Sequence, residues 1–395
     1  MAQTLKFGKG TWATKTGSSM AYNDQNGNYK PLPFNVERDS IATRVNKEGL
    51  IEVVGKDKLR IDYTDSAKGV ALLENSATNL VLNSQRISLT PTKNGTFTDD
   101  FAISPDGTQN ATKLTATDTD PYFYQSVSFS AGSYTASIYV KGIGNSIGKD
   151  FQIRLGTNIY TDVIPSEWTR FEYTATMTSG SVSAGLEIPN PAVSGDEVLV
   201  WGWQIEANSF ATSYIPTSGS TVQRQADVVN GSGNSEVFND SEGVLFTDSA
   251  TLVEGEDIRI IGLSDGSTNN RISITYHSTE NRIQIYGDKN GTIFNLEYLN
   301  AIKTDYNKVA VKYNASSVDF YYNGFLVDTV VPSDMFDSNI LNSLNFDRVD
   351  NGNNFYGKTK EIGYYDAVLT DEELEYMTSY RSLNELVTEL NLNTL

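Results

Sequence analysis

Residues 201–227 read Trp201-Gly-Trp-Gln-Ile-Glu-Ala-Asn-Ser-Phe-Ala-Thr-Ser-Tyr-Ile-Pro-Thr-Ser-Gly-Ser-Thr-Val-Gln-Arg-Gln-Ala-Asp227. Period-2 alternation from Val198 to Ile205 predicts a strand. One face of that strand is bulky and apolar, with Leu199, Trp201, Trp203 and Ile205. Three further side chains are expected to close the end of a β-sandwich, namely Phe210, Tyr214 and Ile215. The polar residues from 216 onward favour a turn. We therefore expect the last strand of one β-domain, followed by the connection to the next.

The overall composition favours a multi-domain β-protein. A chain of 395 residues is too long for one ordinary core. Tyr (22) and Phe (17) greatly outnumber Met (5), which favours strands over helices. The sequence has no apolar run long enough to span a membrane, so no membrane partner is expected. Its first residues lack the apolar core of a signal peptide, so we expect synthesis in a cytoplasm, and any exit from the cell should use a route other than secretion, such as lysis of the cell.

Charge and residue types exclude several functions. The formal charge of -19 opposes binding to nucleic acid. The absence of Cys excludes disulfides and thiolate chemistry. The single histidine, His277, lacks the partners of a Ser-His-Asp relay or a multi-histidine metal site, so a structural or surface role is expected.

Residues 1–50 are polar and rich in Gly and Asn, and prolines oppose a helix there. A disordered tail would contain fewer aromatic residues. We therefore expect an extended arm whose apolar anchors are buried on another subunit or on neighbouring chains. The anchors are Leu5, Phe7, Trp12, Tyr22, Tyr29 and Phe34. The alternative, strands packed on their own domain, stays open.

A set of short motifs follows the arm: Arg38, Ser40, Ala42-Thr-Arg-Val-Asn46, Gly49-Leu-Ile-Glu52, Arg60-Ile-Asp-Tyr63, Leu72-Leu-Glu74 and Thr78-Asn-Leu80. Together with residues 198–227, this set resembles fibre and head-spike proteins of tailed bacteriophages, which contain a carbohydrate-binding-like jelly roll. The sequence departs from that pattern at Leu59, where Pro is usual, and at Ala71, where Leu is common.

The resemblance implies a structural virion protein, either a head fibre or a tail fibre, assembled in the host cytoplasm. It implies attachment to other virion proteins, of the capsid or the tail, through the N-terminal arm. It also implies a homo-oligomer, with a trimer as the usual fibre state, and host-surface glycans as ligands. Two alternatives remain at this point: a virion-associated polysaccharide depolymerase or glycosidase, and a free lectin-like protein.

Residues 85–205 contain eight strand candidates separated by turn residues, as expected for a jelly roll. They are 96–103, 111–117, 122–129, 132–141, 151–155, 169–177, 182–188 and 198–205. The predicted domains are an arm (1–50), a jelly roll (51–226), a linker (227–241), a second sandwich (242–370) and a helical tail (371–395).

The second sandwich also carries recognisable signals. Tyr322-Asn-Gly-Phe325 predicts a type I′ hairpin. The alternating strands from about residue 242, and the Leu-Thr-Asp-Glu-Glu sequence after the last of them, resemble a laminin-G/concanavalin-like domain. Thr370 and Glu373 form a predicted capping box. A short apolar stripe continues through Leu383, Leu386 and Leu390, and it could pack on its own sandwich or between chains.

The sequence contains no catalytic signature. Glu187, Glu197 and Glu206, or Asp319 and Asp328, could form a carboxylate pair, but their spacing does not indicate one. No cofactor is expected. The turn acids Asp265, Asp288 and Asp350 could bind Ca²⁺, although their spacing is not that of an EF-hand. Glycan binding requires aromatic faces with amide or carboxylate partners. The candidates are Tyr122, Tyr160, Tyr286, Asn353, Asn354 and Tyr356.

Overall fold

The structure, a computed structural model, describes residues 5–8, 12–15, 18–20, 33–255, 257–349 and 352–390. Strands dominate the chain and two short helices lie near its C-terminus, which confirms the predicted mostly-β fold. Contacts divide the chain into two units. Unit 1 comprises the described residues of 1–39, 56–75 and 226–395, and unit 2 comprises 40–55 and 76–225. No helix in the described ranges has the length and apolar character needed to cross a membrane.

The strands up to residue 163 are β1 (Leu5–Gly8), β2 (Ala13–Lys15), β3 (Ser18–Met20), β4 (Asn35–Glu37), β5 (Ala42–Val45), β6 (Ile51–Val54), β7 (Arg60–Asp62), β8 (Val70–Leu73), β9 (Ala77–Asn79), β10 (Thr92–Asn94), β11 (Thr96–Ile103), β12 (Gln109–Thr115), β13 (Tyr122–Phe129), β14 (Gly132–Ile143), β15 (Asp150–Leu155) and β16 (Asn158–Val163). Single 3₁₀ turns occupy Ile87–Leu89 and Gly144–Ser146.

The remaining strands are β17 (Thr169–Met177), β18 (Gly180–Glu187), β19 (Glu197–Glu206), β20 (Val222–Arg224), β21 (Val228–Asn230), β22 (Glu242–Thr251), β23 (Arg259–Ser264), β24 (Asn270–Tyr276), β25 (Arg282–Lys289), β26 (Thr292–Leu299), β27 (Asn307–Asn314), β28 (Val318–Tyr322), β29 (Phe325–Val330), β30 (Ser343–Asn345) and β31 (Gly357–Tyr365). The helices are α1 (Asp371–Thr378) and α2 (Leu383–Glu389).

Unit 2 is a sandwich of two five-stranded antiparallel sheets. Their strand orders are β10-β13-β18-β15-β16 and β11-β12-β19-β14-β17. A core cluster unites inward-facing side chains of both sheets, such as Phe123 of β13 and Trp203 of β19. Alternate residues of each strand face this core because successive side chains of a strand point to opposite faces.

The prediction of which side chains in residues 198–205 share one face is wrong in one respect. Trp203 and Ile205 lie in the sandwich core together with Val198 and Val200, whereas Trp201 packs in a separate cluster with Tyr214. The pairing of β14 with β19 contains a register irregularity at this point, and Gly202 has φ +69°. A β-bulge adds one residue and so reverses the facing of the side chains beyond it, an effect that period-2 alternation cannot show.

Unit 1 is also a sandwich. Its larger sheet has the order β29-β28-β27-β22-β31-β8-β7, with β1 also paired to β31, and its smaller sheet has the order β26-β25-β24-β23-β30. Leu245 of β22 and Ile274 of β24 are among the buried side chains between the two sheets. The unit is therefore assembled from three separate parts of the sequence.

The N-terminal anchors lie in the core of their own unit. The backbone at residues 5–8 is extended as predicted, but β1 pairs with β31 and places Phe7 opposite Ile362. Leu5, Phe7 and Phe34 are fully buried, and Trp12 packs against the same core. This corrects the expectation that they are buried on another subunit, because side chains enclosed in this core cannot contact a second protein. Tyr22 and Tyr29 lie outside the described residues.

The segment expected to be a linker, residues 227–241, belongs to unit 1. β21 pairs with β4, and Val237 and Phe238 are buried in the core. Asp240 accepts backbone hydrogen bonds from residues 339–341. The polar composition that suggested a linker therefore reflects turns with fixed partners.

The C-terminal helices contact their own unit. Thr370 and Glu373 form the predicted capping box of α1. Leu374 and Met377 of α1 pack in one cluster with Phe246. In α2, Glu385 lies 2.8 Å from Lys308 Nζ of β27.

Candidate functional site

A polar and aromatic patch lies on the outer face of one unit 2 sheet. In β13 the inward residues Phe123 and Val127 are buried, so Tyr122 and Tyr124 point outward. The register places Tyr122 opposite Glu187 of β18. The two tyrosine rings are stacked, with centroids 4.9 Å apart and planes inclined by 23°.

Gly185 allows the second ring to lie across the neighbouring strand. It is the register partner of Tyr124 in β18. A Cβ atom at this position would lie 1.9 Å from the Phe123 carbonyl oxygen and 2.8 Å from Tyr124 Cδ1. A residue with a side chain therefore cannot replace Gly185 without moving both β13 and the ring.

Glu187 is the centre of the polar contacts in this patch. Tyr124 Oη donates a hydrogen bond to Glu187 Oε1. Arg154 of β15 lies on the same face, with Nε 2.8 Å from Oε1 and Nη2 2.8 Å from Oε2. Asn190 Nδ2 donates to Oε2 at 3.0 Å. We call Tyr122, Tyr124, Arg154, Glu187 and Asn190 the unit 2 patch.

The protonation of Tyr124 follows from its surroundings. Burial and the hydrogen bond to the Glu187 carboxylate raise the pKa of Tyr124 above its ordinary value. The phenol therefore stays protonated over the physiological range and continues to donate its hydrogen bond to the Glu187 carboxylate. The patch thus combines two aromatic rings with a carboxylate, a guanidinium and an amide in fixed positions.

The structure does not bring the six predicted glycan-binding residues together. Only Tyr122 belongs to the unit 2 patch. Tyr160 of β16 pairs with the buried Ile153, and its ring stacks on Tyr173 at 5.6 Å. The hydrogen bond to Asp162, together with burial, raises the pKa of Tyr160 to about 12. Tyr160 therefore packs against the core of unit 2 rather than presenting a ring on the outer face.

The other four candidates lie in unit 1. Tyr286 is on β25, where its hydroxyl donates to Asp288 Oδ2 at 3.1 Å. Asn354 Nδ2 donates to Tyr356 Oη at 3.2 Å, and the Arg259 guanidinium carbon lies 4.7 Å from the centre of the Tyr356 ring. Asn353 has φ +54° and its carbonyl accepts from the Ile260 amide. Asn353, Asn354 and Tyr356 therefore shape one loop.

The residues that the sequence analysis missed are Tyr124 and Arg154. Tyr122 and Tyr124 are two positions apart on a strand, and that spacing places both rings on one face. This signal was present in the sequence. The proximity of Arg154 depends on the neighbouring positions of β15 and β18, which no local pattern reveals.

The acidic residues that could have formed a carboxylate pair are spread over three sheets. Glu187 is in one sheet of unit 2, whereas Glu197 and Glu206 are at opposite ends of β19 in the other. Burial raises the pKa of Glu206, whose carboxylate accepts from Gln204 and from Thr212. Asp319 forms a salt bridge with Lys312, in which Oδ2 lies 2.8 Å from Nζ. Asp328 lies on the neighbouring strand β29.

The turn acids have partners within the protein. Asp265 accepts from the Ser267 amide and from Asn270 Nδ2 at 2.8 and 2.7 Å, and Asp288 accepts from the Gly291 amide at 2.8 Å. Asp350 lies outside the described residues. In the part of the chain that the structure covers, no three ligating side chains form a group that could hold a metal ion.

A cavity of about 970 Å³ lies in unit 1 beside the β28–β29 hairpin and α2. Its walls include the stacked rings of Tyr298 and Tyr322, 4.1 Å apart, and the side chains of Leu383 and Leu386. None of the predicted binding residues lines it. Polar side chains such as Asn300, Asp305 and Arg381 also line it, so its walls are mixed in character.

No family model and no characterised protein sequence matches the chain. Among solved structures, it is similar to the CBM40 domain of the Ruminococcus gnavus IT-sialidase bound to α2,3-sialyllactose, at 15% identity and a TM-score of 0.33, over 38% of this chain and 94% of that one. It is also similar to the CBM22-1–CBM22-2 tandem of Paenibacillus barcinonensis Xyn10C, at 11% identity and a TM-score of 0.25, over 75% of this chain and 100% of that one. Similarities this low do not assign a ligand.

Proposed function

We propose that this protein is a glycan-binding structural protein, not an enzyme, and that it serves as a head or tail fibre of a tailed-phage virion. The observation that supports glycan binding is the unit 2 patch, with stacked Tyr122 and Tyr124 beside the Glu187–Arg154 pair. Aromatic rings pack on the apolar faces of sugars, while carboxylate, guanidinium and amide groups bond their hydroxyls.

The patch is fixed before a ligand arrives. Two contacts from Arg154 and one from Asn190 orient the Glu187 carboxylate. Groups that are already ordered lose less entropy on binding, which improves affinity. Exposed serines of the same strands, Ser126 and Ser183, continue this face, so a chain of several sugar residues can lie along it.

The virion role is supported by the sequence resemblance of residues 5–84 and 198–227. Attachment through the N-terminal segment is part of this proposal, but it cannot use the buried Leu5, Phe7 and Phe34. A homo-oligomer, with a trimer as the expected state, would convert weak contacts between single sugars and each patch into useful avidity. Cryo-EM of intact particles tests the location. A particle whose fibre density is complete without this protein contradicts it.

Glycan binding is tested by affinity electrophoresis in gels that contain soluble mannan, galactan, dextran or host-surface polysaccharide. We expect at least one of these glycans to retard the wild type, and Tyr122→Ala with Tyr124→Ala to lower the apparent affinity tenfold or more. Tyr376→Ala is the matched control, because Tyr376 is an exposed tyrosine on α1. Equal retardation of wild type and double variant would overturn the assignment of the patch.

The same polysaccharides test the absence of enzymatic activity. We expect no reducing sugar to be released during prolonged incubation with the wild type. Release that survives in the Glu187→Gln variant would point to a different site, and release that this variant abolishes would make Glu187 part of a glycosidase.

A further inference from the structure

We propose that unit 1 carries a second glycan-binding surface, on the outer face of β24, β25 and β26, and that it binds a neutral, hydroxyl-rich glycan. This inference rests on the proposed function and extends it from one patch to two. The surface consists of His277, Arg282, Gln284, Tyr286, Asn295 and Glu297, and we call it the unit 1 face.

Four of these side chains form a closed ring of hydrogen bonds. Arg282 donates to His277 Nδ1 at 3.0 Å and to Glu297 Oε1 at 2.8 Å. Gln284 Oε1 lies 2.7 Å from His277 Nε2, and Gln284 Nε2 donates to Glu297 Oε1 at 3.1 Å. Each planar group is therefore held by two others, unlike an ordinary solvent-facing sheet of mobile charged side chains.

The ring orients groups that are able to bind a ligand. Asn295 accepts from Gln284 at 2.6 Å through Oδ1, which turns its Nδ2 away from the ring. Both ring hydrogen bonds to Glu297 end on Oε1, and among the described residues Oε2 has no hydrogen-bond partner. Asn295 and Glu297 are two positions apart on β26 and so point to the same side. They present a donor and an acceptor, which suits neighbouring sugar hydroxyls.

An aromatic ring lies next to this donor–acceptor pair. Tyr286 is the register partner of Asn295 across β25 and β26. Its hydroxyl is held by Asp288 and Thr292, at 3.1 and 2.7 Å, so the ring has a fixed orientation. The unit 1 face therefore repeats the chemistry of the unit 2 patch: a tyrosine ring, an Arg–Glu pair and a side-chain amide.

The charges on this face favour a neutral glycan. The guanidinium groups of Arg271 and Arg282 are matched by the carboxylates of Asp288 and Glu297. The chain as a whole carries a charge of -19, which repels polyanions. An acidic polysaccharide would therefore find no excess positive charge here.

The test uses the full chain in affinity electrophoresis with soluble mannan, galactan and dextran. Asn295 is exposed, so Asn295→Ala removes the donor with little effect on folding. Asn342→Ala, at another exposed asparagine of unit 1, is the matched control. Both are made in the wild type and in the Tyr122→Ala, Tyr124→Ala background, in which the unit 2 patch is disabled. We expect residual binding in that background, which Asn295→Ala lowers tenfold or more and Asn342→Ala leaves unchanged.

The outcomes separate the two proposals. If the double tyrosine variant loses all binding and Asn295→Ala has no effect in the wild type, the second surface is refuted and the unit 2 patch stands. If Asn295→Ala abolishes all binding and the double tyrosine variant retains it, the unit 1 face is the glycan site and the unit 2 patch is refuted. A wild type that is retarded by none of the three polysaccharides contradicts the second surface as proposed, while the host-surface polysaccharide still tests the unit 2 patch.

Discussion

Arg38 Nη1 donates to Asp227 Oδ1 at 2.7 Å, and 189 residues of chain separate the two partners. Both side chains are almost fully buried. Arg60 donates to the other oxygen of Asp227 and to Glu74 Oε2, the latter at 2.5 Å. Burial alone would lower the pKa of Arg60, but the Asp227 and Glu74 carboxylates raise it, so the Arg60 guanidinium stays charged. These four residues belong to the motifs that carry the resemblance to phage fibres, and in the structure they have a structural role.

Asp227→Asn should destabilise unit 1 by about 3–5 kcal/mol, because it leaves two buried guanidinium groups with insufficient compensation. Urea denaturation followed by fluorescence measures the loss. The control is Asp39→Asn, whose partner Lys56 is 2.6 Å away in an exposed ion pair, and little change is expected there. Equal stabilities for the two variants would show that the buried cluster contributes nothing.

Phe7→Ala should destabilise unit 1 by about 3–5 kcal/mol, as is usual for truncation of a buried Phe. The Phe7 ring lies 4.5 Å from that of Phe34, inside the core. Phe325→Ala removes a ring that is 75% exposed and should change stability by less than about 0.5 kcal/mol. Chemical denaturation of both variants provides the comparison. A Phe7→Ala variant as stable as the wild type would restore the expectation that this segment is buried on another subunit.

Asp106→Asn should destabilise unit 2 near neutral pH but not in acid. Burial opposes ionisation, but hydrogen bonds from Thr108, Asn110 and Ser104 outweigh it and lower the pKa of Asp106. A lowered folded-state pKa contributes stability above the unfolded value of about 3.8, and that contribution is lost as the pH falls through the folded value. Unfolding curves at pH 7 and at pH 3 measure the difference, with Glu48→Gln, an exposed acid, as control. If Asp106→Asn lowered the free energy of unfolding equally at both pH values, the ionised carboxylate would not be the source of the stability.

His277 should carry its proton on Nε2. Arg282 can only donate, so Nδ1, at 3.0 Å from Arg282 Nη2, must accept. Because the chain has a single histidine, ¹⁵N NMR of histidine-labelled protein reports this imidazole without ambiguity. Arg282→Ala should weaken the preference for this tautomer. An Nδ1–H tautomer in the wild type would be incompatible with the closed ring of the unit 1 face.

Local patterns were sufficient to predict most strands. The bounds of β11, β13 and β17 agree with the alternation of their residues. The hairpin at Asn323-Gly324 is present, and both residues have the positive φ that a type I′ turn requires. Such features depend on the few residues that form them, so they can be recognised without knowledge of the rest of the fold.

Features set by distant partners could not be predicted. The composition of residues 226–241 gives no indication that Val237 and Phe238 complete the core of unit 1. For the unit 2 patch, Tyr122 could be predicted but its neighbours Arg154 and Glu187 could not, since β15 and β18 are paired across about thirty residues of chain. Which strands become neighbours is decided by the packing of the whole sandwich.

The pairing of β1 with β31 places Leu5 beside Tyr364. A ribosome makes the first of these residues long before the second, since synthesis proceeds at about 5–20 residues per second. During that interval β1 cannot pair with β31, whereas residues 40–55 and 76–225 can already fold into their own sandwich. Unit 1 begins earlier in the sequence than unit 2, but its sandwich can be completed only after unit 2 has been synthesised.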